Sequence, residues 1–512
     1  MRNGSQFIAR TLLQPSRPPT QPPLNPQGGT LVYNPRPTPL AVPVDDLGDP
    51  LPGTVGRAGP LHDPTAILLV RTDDLGADGK LKTDAPVEPL VLRATAGQCI
   101  VVTLRNRLPA QMPDLPGYFQ MMAVVPRDKE DPQGVTYFGN NLIRPSSYVG
   151  LSPQLVAHDV TKTGLAVGKN VILPDLNIGP LVAPGKTQTF RWFAGDLRAN
   201  PDGGLIAQRV NFVTTPIEFG GANIGPADVI KQGMKGLVGA LVIGPQGATI
   251  SETDTTWDHQ QDNPGITRKT RASGTFNGTT RDFAVIFQKG QNHYYKDGDP
   301  VENIGDEAES GDAGQMAINY GSEPMWFRFG LQPTAPFGNA GTAGSLGVVA
   351  NPEEAYSNAL AGGDPATPVF TARGGAPVRM HVLMGAGPTR GSVFHLHGHL
   401  WQRAPYVCPG QNDGLGPLLN GKCNWTDFPR NLTQALAFEP GSRAIGVNPI
   451  GKYLVAQESI LPGAHFDIVL PGAGLGPTGG AGGVGMVTGD YLFRSQESFG
   501  NTQGLWGILR VE

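Results

Sequence analysis

The stretch LRATAGQCIVVTLRNRLP, residues 92–109, carries the signature on which the fold turns. Leu92 and Ala94 lead into a turn at Ala96 and Gly97. Beyond it Cys99, Val101 and Thr103 share one face of an extended run, while Ile100, Val102 and Leu104 share the other. Both faces are largely apolar, which predicts a strand inside a β-sandwich, with Cys99 as a small buried hydrophobe. Runs of this kind recur on both sides. AILLVRT (66–72), EPLVLRA (88–94), TQTFRWFA (187–194) and KGLVGALVIG (235–244) are short, rich in β-branched and aromatic residues, and bounded by Gly, Pro or Asp.

A second set begins near residue 280: RDFAVIFQ, PMWFRFGL, PVFTARGG, PVRMHVLMG, SVFHLHGHLWQ, HFDIVLPG, DYLFRS and LWGILRVE. The two sets share an order, in which a strand, a Gly-centred turn (TAGQC, ARGGAP) and a strongly apolar strand follow one another. Residues 1–62 are dominated by proline with few large apolar side chains, too few to offset the entropy of ordering, and predict an extended arm. The expected organisation is that arm, a sandwich over 63–248, a polar linker over 249–279 and a second sandwich over 280–512. Helix is expected only as short turns, at PADVIKQGMKG (226–236) and around 307–315.

Composition agrees. Of 512 residues, 71 are glycine and 49 proline with no collagen period, and only 16% are charged, which suits many turns and short strands. A net charge of −4 without a basic run excludes a nucleic-acid surface, since phosphate binding needs clustered Lys or Arg. No run of about 18 apolar residues is present to span a bilayer as a helix. The opening MRNGSQFIARTLLQPSRPP lacks a sustained apolar core and does not read as a secretory signal. Three cysteines without CxxC spacing exclude a disulfide scaffold, although Cys408 and Cys423 bracket a Gly/Pro/Asn-rich loop and could close it.

The chemistry-bearing stretch is GSVFHLHGHLWQ, 391–402. Alternation in a strand puts His395, His397 and His399 on one face at steps of about 6.6 Å, a spacing that suits neighbouring ions better than one ion unless Gly398 bends the chain. The alternative is a polar strand face bonded to carbonyls or water. His158, in SPQLVAHDV, is a weaker metal candidate whose alternative is a surface histidine. Asp196, Glu218 and Asp228 could hold a hard cation through oxygen, but isolated acids at irregular spacing are more often solvated or capping. GAGLGPTGGAGGVG (472–485) matches a phosphate-cradling loop only in its glycines and reads as a flexible hairpin loop.

HLHGH resembles the histidine motif in the last domain of multicopper oxidases. The segment GDYLFRSQESFGNTQGLWGILRV aligns without a gap on that family's closing motif, and LRATAGQCIVVTLRNRLP, APGKTQTFRWFAGD and KGLVGALVIGP resemble its opening unit. The wording of NNLIRPSSYVGLSPQLVAHDV and GDYLFRSQESF is most similar to the C-terminal region of very large bacterial members, a group that includes candidate manganese oxidases. The resemblance implies an all-β chain of two cupredoxin-like Greek-key sandwiches, copper chemistry with dioxygen, and an extracellular or periplasmic place.

The departures are as specific as the match. The family's His-Cys-His stands here as Arg494, Ser495 and Gln496, its later histidine as Gly500, and its blue-copper histidine before HLHGH as Ser392. Blue copper needs two imidazoles and a thiolate. The expectation is therefore a subunit or fragment with at most a partial copper site at His395, His397 and His399, with His158 the one candidate in the first unit. A protein partner or a second copy would supply the missing ligands within a larger oxidase assembly. The alternative is a catalytically silent cupredoxin scaffold with a structural or interaction role; a stand-alone laccase-type enzyme would need the absent thiolate.

Overall fold

The computed structural model describes residues 6–11, 31–34, 61–64, 66–112, 145–165, 179–199, 205–206, 209–210, 212–229, 231–252, 270–291, 293–295, 298, 301, 316–328, 356, 364–387, 391–403, 405, 454–474, 478–496, 500 and 503–512. They form an all-β structure of two sandwiches. Its four principal sheets lie in the order outer, inner, inner, outer.

The first outer sheet runs Ile67–Arg71, Gln6–Thr11, Cys99–Asn106, Thr187–Phe193, Ala157–His158. Its inner partner runs Leu90–Thr95, Gly239–Gly244, Gly220–Gly225, Ser152–Pro153. Leu69, Val102, Leu104, Phe190 and Trp192 from one meet Leu90, Leu92, Leu241 and Ile243 from the other in the first core. In the second sandwich the inner sheet runs Ile250–Ser251, Ser273–Phe276, Thr280–Gln288, Val378–Leu383, His465–Leu470. The outer one runs Val369–Ala372, Trp506–Val511, Gly489–Ser495, Ser392–Leu396, Gln457–Ile460. Phe283 and Phe370 stack at 4.6 Å across this second core, and Phe394, Phe493 and Trp401 extend the aromatic cluster.

The two inner sheets pack back to back. Val91, Ala240 and Val242 on one meet Phe276, Ala284, Ile286 and Leu383 on the other. Inner strands are therefore apolar on both faces, and all six residues of Leu90–Thr95 are buried. Gly244 is required at this junction, because a Cβ there would sit 2.2 Å from the Phe276 ring.

Two expectations need correction. The Cys99–Asn106 strand lies in an outer sheet, so only one face is covered; Cys99 is exposed rather than buried, and Thr103 uses its half-open face to bond Thr189 across the strands. PMWFRFGL does not extend as a strand: Met325–Arg328 is a helical turn, begun by Pro324, whose fixed φ suits a first turn. Of the two expected helical turns, one forms at Lys231–Met234, and 307–315 lies outside the described residues. Within the expected arm, Gln6–Thr11 pairs with Ile67–Arg71 and Cys99–Asn106, and Leu31–Asn34 pairs with Leu61–Asp63. Within the expected linker, Ile250–Ser251 and Ser273–Phe276 extend the second inner sheet. Cys408 and Cys423 lie outside the described residues.

Candidate functional site

The Ser392–Leu396 strand places Phe394 and Leu396 in the second core, which turns His395 and His397 onto the outer face of the outer sheet. Their rings stack with centroids 4.0 Å apart. His399 does not share that face. Gly398 has φ +74°, and a Cβ there would sit 2.9 Å from the Tyr491 ring, so the chain bends at the one residue that tolerates both conditions. The bend drives His399 inward to 2% exposure, edge-on to Tyr491 at 4.7 Å.

Every one of these rings has a partner from this chain. His399 Nδ1–H donates to the His397 carbonyl at 3.0 Å and its Nε2 accepts from the Gly482 N–H at 3.0 Å, so both nitrogens are occupied in the neutral ring. His397 Nε2 accepts from Arg494 Nε at 3.2 Å, and His395 Nδ1 is bonded by the Gln496 side-chain amide. The register explains the pairing: His395 lies opposite Arg494 and Phe394 opposite Ser495, which brings the 494–496 side chains against the histidines. Burial, then His395, then the Arg494 cation hold the His397 imidazole down at about 4. Burial and Arg494 also lower His395, and burial lowers His399. All three rings are therefore biased toward the neutral form.

Ser392 and Ser495 are both buried, and their hydroxyls meet at 3.2 Å. Ser495 N–H donates to the Leu505 carbonyl and Leu505 N–H to the Gly500 carbonyl, which gathers residues 392, 495, 500 and 505 in one place. A blue-copper ion requires two imidazoles and a thiolate. Two hydroxyls bonded to each other do not fit it.

His158 lies on the edge strand of the opposite outer sheet, its Nδ1 bonded to the Val156 carbonyl at 2.9 Å. No group of three or more His, Cys, Asp or Glu side chains placed to hold a metal occurs among the described residues. Glu218 pairs with Arg379, and Asp228 caps the Lys231–Met234 turn through Lys231 N–H and also accepts from Ser146 N–H. In the expected 472–485 loop, the described residues 472–474 and 478–485 are tied by backbone bonds, including Gly375 N–H to Ala481 O and Ala481 N–H to Ala376 O.

One cluster was not legible as a site. Between the inner sheets, His381 Nε2 contacts Asp282 Oδ2 at 2.7 Å and His381 Nδ1 contacts Asp467 Oδ1 at 2.6 Å. Asp282 Oδ1 accepts from Arg93 Nε at 2.7 Å, and both Asp467 oxygens face the Gly221 N–H at 3.0 and 3.2 Å. The available signal was an ionisable residue on the face away from the strand's own core in each of four apolar strands, with Arg379 and His465 sharing that face beside His381 and Asp467.

No family model matches the chain, and no curated protein matches it. Among solved structures it is similar to a multicopper oxidase, at 10% identity and a TM-score of 0.35 over 87% of this chain and 83% of the other. It is similar also to the copper nitrite reductase of Nitrosomonas europaea, at 12% identity and a TM-score of 0.37 over 88% and 86%. A third is the blue copper oxidase of the same organism, at 12% and 0.32 over 83% and 76%.

Proposed function

We propose that this chain is a multicopper-oxidase-like scaffold of the cupredoxin type that has exchanged its copper ligands for hydrogen bonds. It serves as a structural or interaction subunit of a larger extracellular or periplasmic oxidase assembly. In that assembly a protein partner or another copy carries the copper and the oxidation of a metal ion or organic reductant by dioxygen. No described helix is long and apolar enough to cross a membrane.

The observation that carries the reading is the Ser392–Ser495 contact. The two positions that would bear an imidazole and a thiolate in the resembled family have come together in a buried pocket with hydroxyls that satisfy one another. Arg494 and Gln496, at the flanking histidine positions, are spent in the same way on His397 and His395. The test is restoration. The triple variant Ser392→His, Ser495→Cys, Gly500→His, loaded with Cu(II), is expected to develop the intense blue colour of a thiolate-copper bond, and the wild-type chain to stay colourless. A variant that folds, takes up copper and remains colourless would show that these positions do not form a ligand set.

A second reading keeps a partial copper site at His395 and His397. It is favoured by their half-exposed, stacked and neutral rings. It predicts copper that disappears in His395→Ala/His397→Ala.

A further inference from the structure

Each sandwich has its own core, and the two meet both between the inner sheets and at a smaller apolar cluster that joins Leu68 and Val70 to Tyr295 and Tyr320. The surface between the inner sheets is largely apolar, with polar contacts across it from Asn223 to the Gly463 and Ala464 carbonyls and from Arg379 to Glu218, and at its centre one fully buried chain of ionisable groups crosses it. Arg93 comes from Leu90–Thr95 and the Gly221 amide from Gly220–Gly225, both in the first sandwich. Asp282, His381 and Asp467 come from three adjacent strands of the second. The side chains of Arg93, Asp282 and His381 are fully shielded from solvent, and that of Asp467 almost fully.

The hydrogen bonds demand a particular proton count. Ionised carboxylates only accept, and neutral imidazole carries one N–H. His381 presents both nitrogens to carboxylates at 2.6 and 2.7 Å, so with both carboxylates ionised both nitrogens donate and the ring is imidazolium. Two cations and two anions then alternate along Arg93, Asp282, His381 and Asp467, and the buried charge sums to zero. Gly221 makes the approach possible, since a Cβ at 221 would lie 2.7 Å from His381 Cβ. Removing one proton leaves a buried excess negative charge and an unsatisfied carboxylate, a costly state.

We propose that this chain of groups is a proton-dependent clasp, which fastens the two sandwiches together while His381 carries both ring protons and loosens their junction when one is lost. The other charged groups near His381 do not replace it: Arg379 on the same strand makes a separate cross-junction pair with Glu218, and burial lowers the His465 imidazole beside Asp467. Burial alone would depress His381, but Asp282 and Asp467 outweigh it and hold the ring up at about 9. Burial would raise Asp282, but His381 and Arg93 hold it well below the usual carboxylate range, so the clasp resists acid and opens on the alkaline side.

The experiment uses the full chain. Nitrogen-15 NMR of the His381 ring gives its protonation state, and amide hydrogen exchange over residues 219–225, corrected for the intrinsic rate at each pH, reports the Gly221 bond. At pH 7 both ring nitrogens are expected to be protonated and the amide protected. Protection falls by up to about tenfold per pH unit as the ring titrates near 9. His381→Gln, which cannot donate to both carboxylates, is expected to lose protection and its pH dependence. Asp467→Asn, which keeps an acceptor and removes a charge, moves the opening to lower pH. A ring singly protonated at pH 7 overturns the proposal even if neither variant folds. So does wild-type protection that stays level through the titration.

Discussion

Arg494→Leu tests the substitution of hydrogen bonds for metal most sharply. In the wild type, His397 Nε2 accepts from Arg494 Nε at 3.2 Å, so a copper ion must first break a hydrogen bond to a charged group and then sit beside a guanidinium. Such a bond is worth about 1.5–3 kcal/mol, and at about 1.4 kcal/mol per decade that is roughly 10–100-fold in affinity. The histidine pair is half-exposed, so solvent screening places the expected gain near the lower end, about tenfold. Proton competition does not enter at neutral pH, because His397 titrates at about 4 and is already neutral. Leucine is chosen because it offers copper no donor. Calorimetric titration of Cu(II) into both proteins at pH 7 should show weak binding to the wild type and binding about tenfold tighter in Arg494→Leu. The variant's His397 resonance should also titrate at higher pH. Equal affinities, or weaker binding in the variant, would refute the reasoning.

Arg93→Met leaves Asp282 held by His381 but gives the buried chain of groups one negative charge in excess, and is expected to destabilise the protein by about 3–5 kcal/mol in urea unfolding; a loss below about 1 kcal/mol would contradict the pairing. His381 titrates at about 9 when folded and near 6.5 when unfolded, so its contribution is complete below pH 6.5, declines as pH rises and is gone above 9. At about 1.36 kcal/mol per pH unit this amounts to about 3 kcal/mol, readable as a falling urea midpoint between pH 6.5 and 9 that is absent in His381→Gln. Cys99, exposed at the start of its strand, is expected to react with a maleimide in native buffer, and protection until denaturant is added would place it elsewhere.

The strands were legible because their cause is local. Alternation and bounding Gly or Pro mark RDFAVIFQ and PVRMHVLMG, and both form as read, paired in parallel at Arg281 with Val378 through Ile286 with Leu383. Which sheet faces outward was not legible: the Cys99–Asn106 and Leu90–Thr95 strands read alike, yet only the second is covered on both sides, because the covering comes from the other sandwich. The turn at His399 depends on Tyr491 filling the space above Gly398, a contact far apart in sequence. The Ser392–Ser495 contact was legible as two departures from a motif, but that they meet required the register of two strands. The clasp was missed because Arg93, Asp282, His381 and Asp467 lie far apart in sequence, each as one of one or two ionisable residues in an apolar strand. Their meaning appears only when four strands from two sandwiches are stacked.

The most direct test is the copper content of the 512-residue chain purified alone, after equilibrium dialysis against Cu(II) and a wash with a weak chelator. If this chain's own side chains occupy the former ligand positions, the wild type retains close to none and is indistinguishable from His395→Ala/His397→Ala. One or more retained ions per chain, lost in that double variant, would contradict the account.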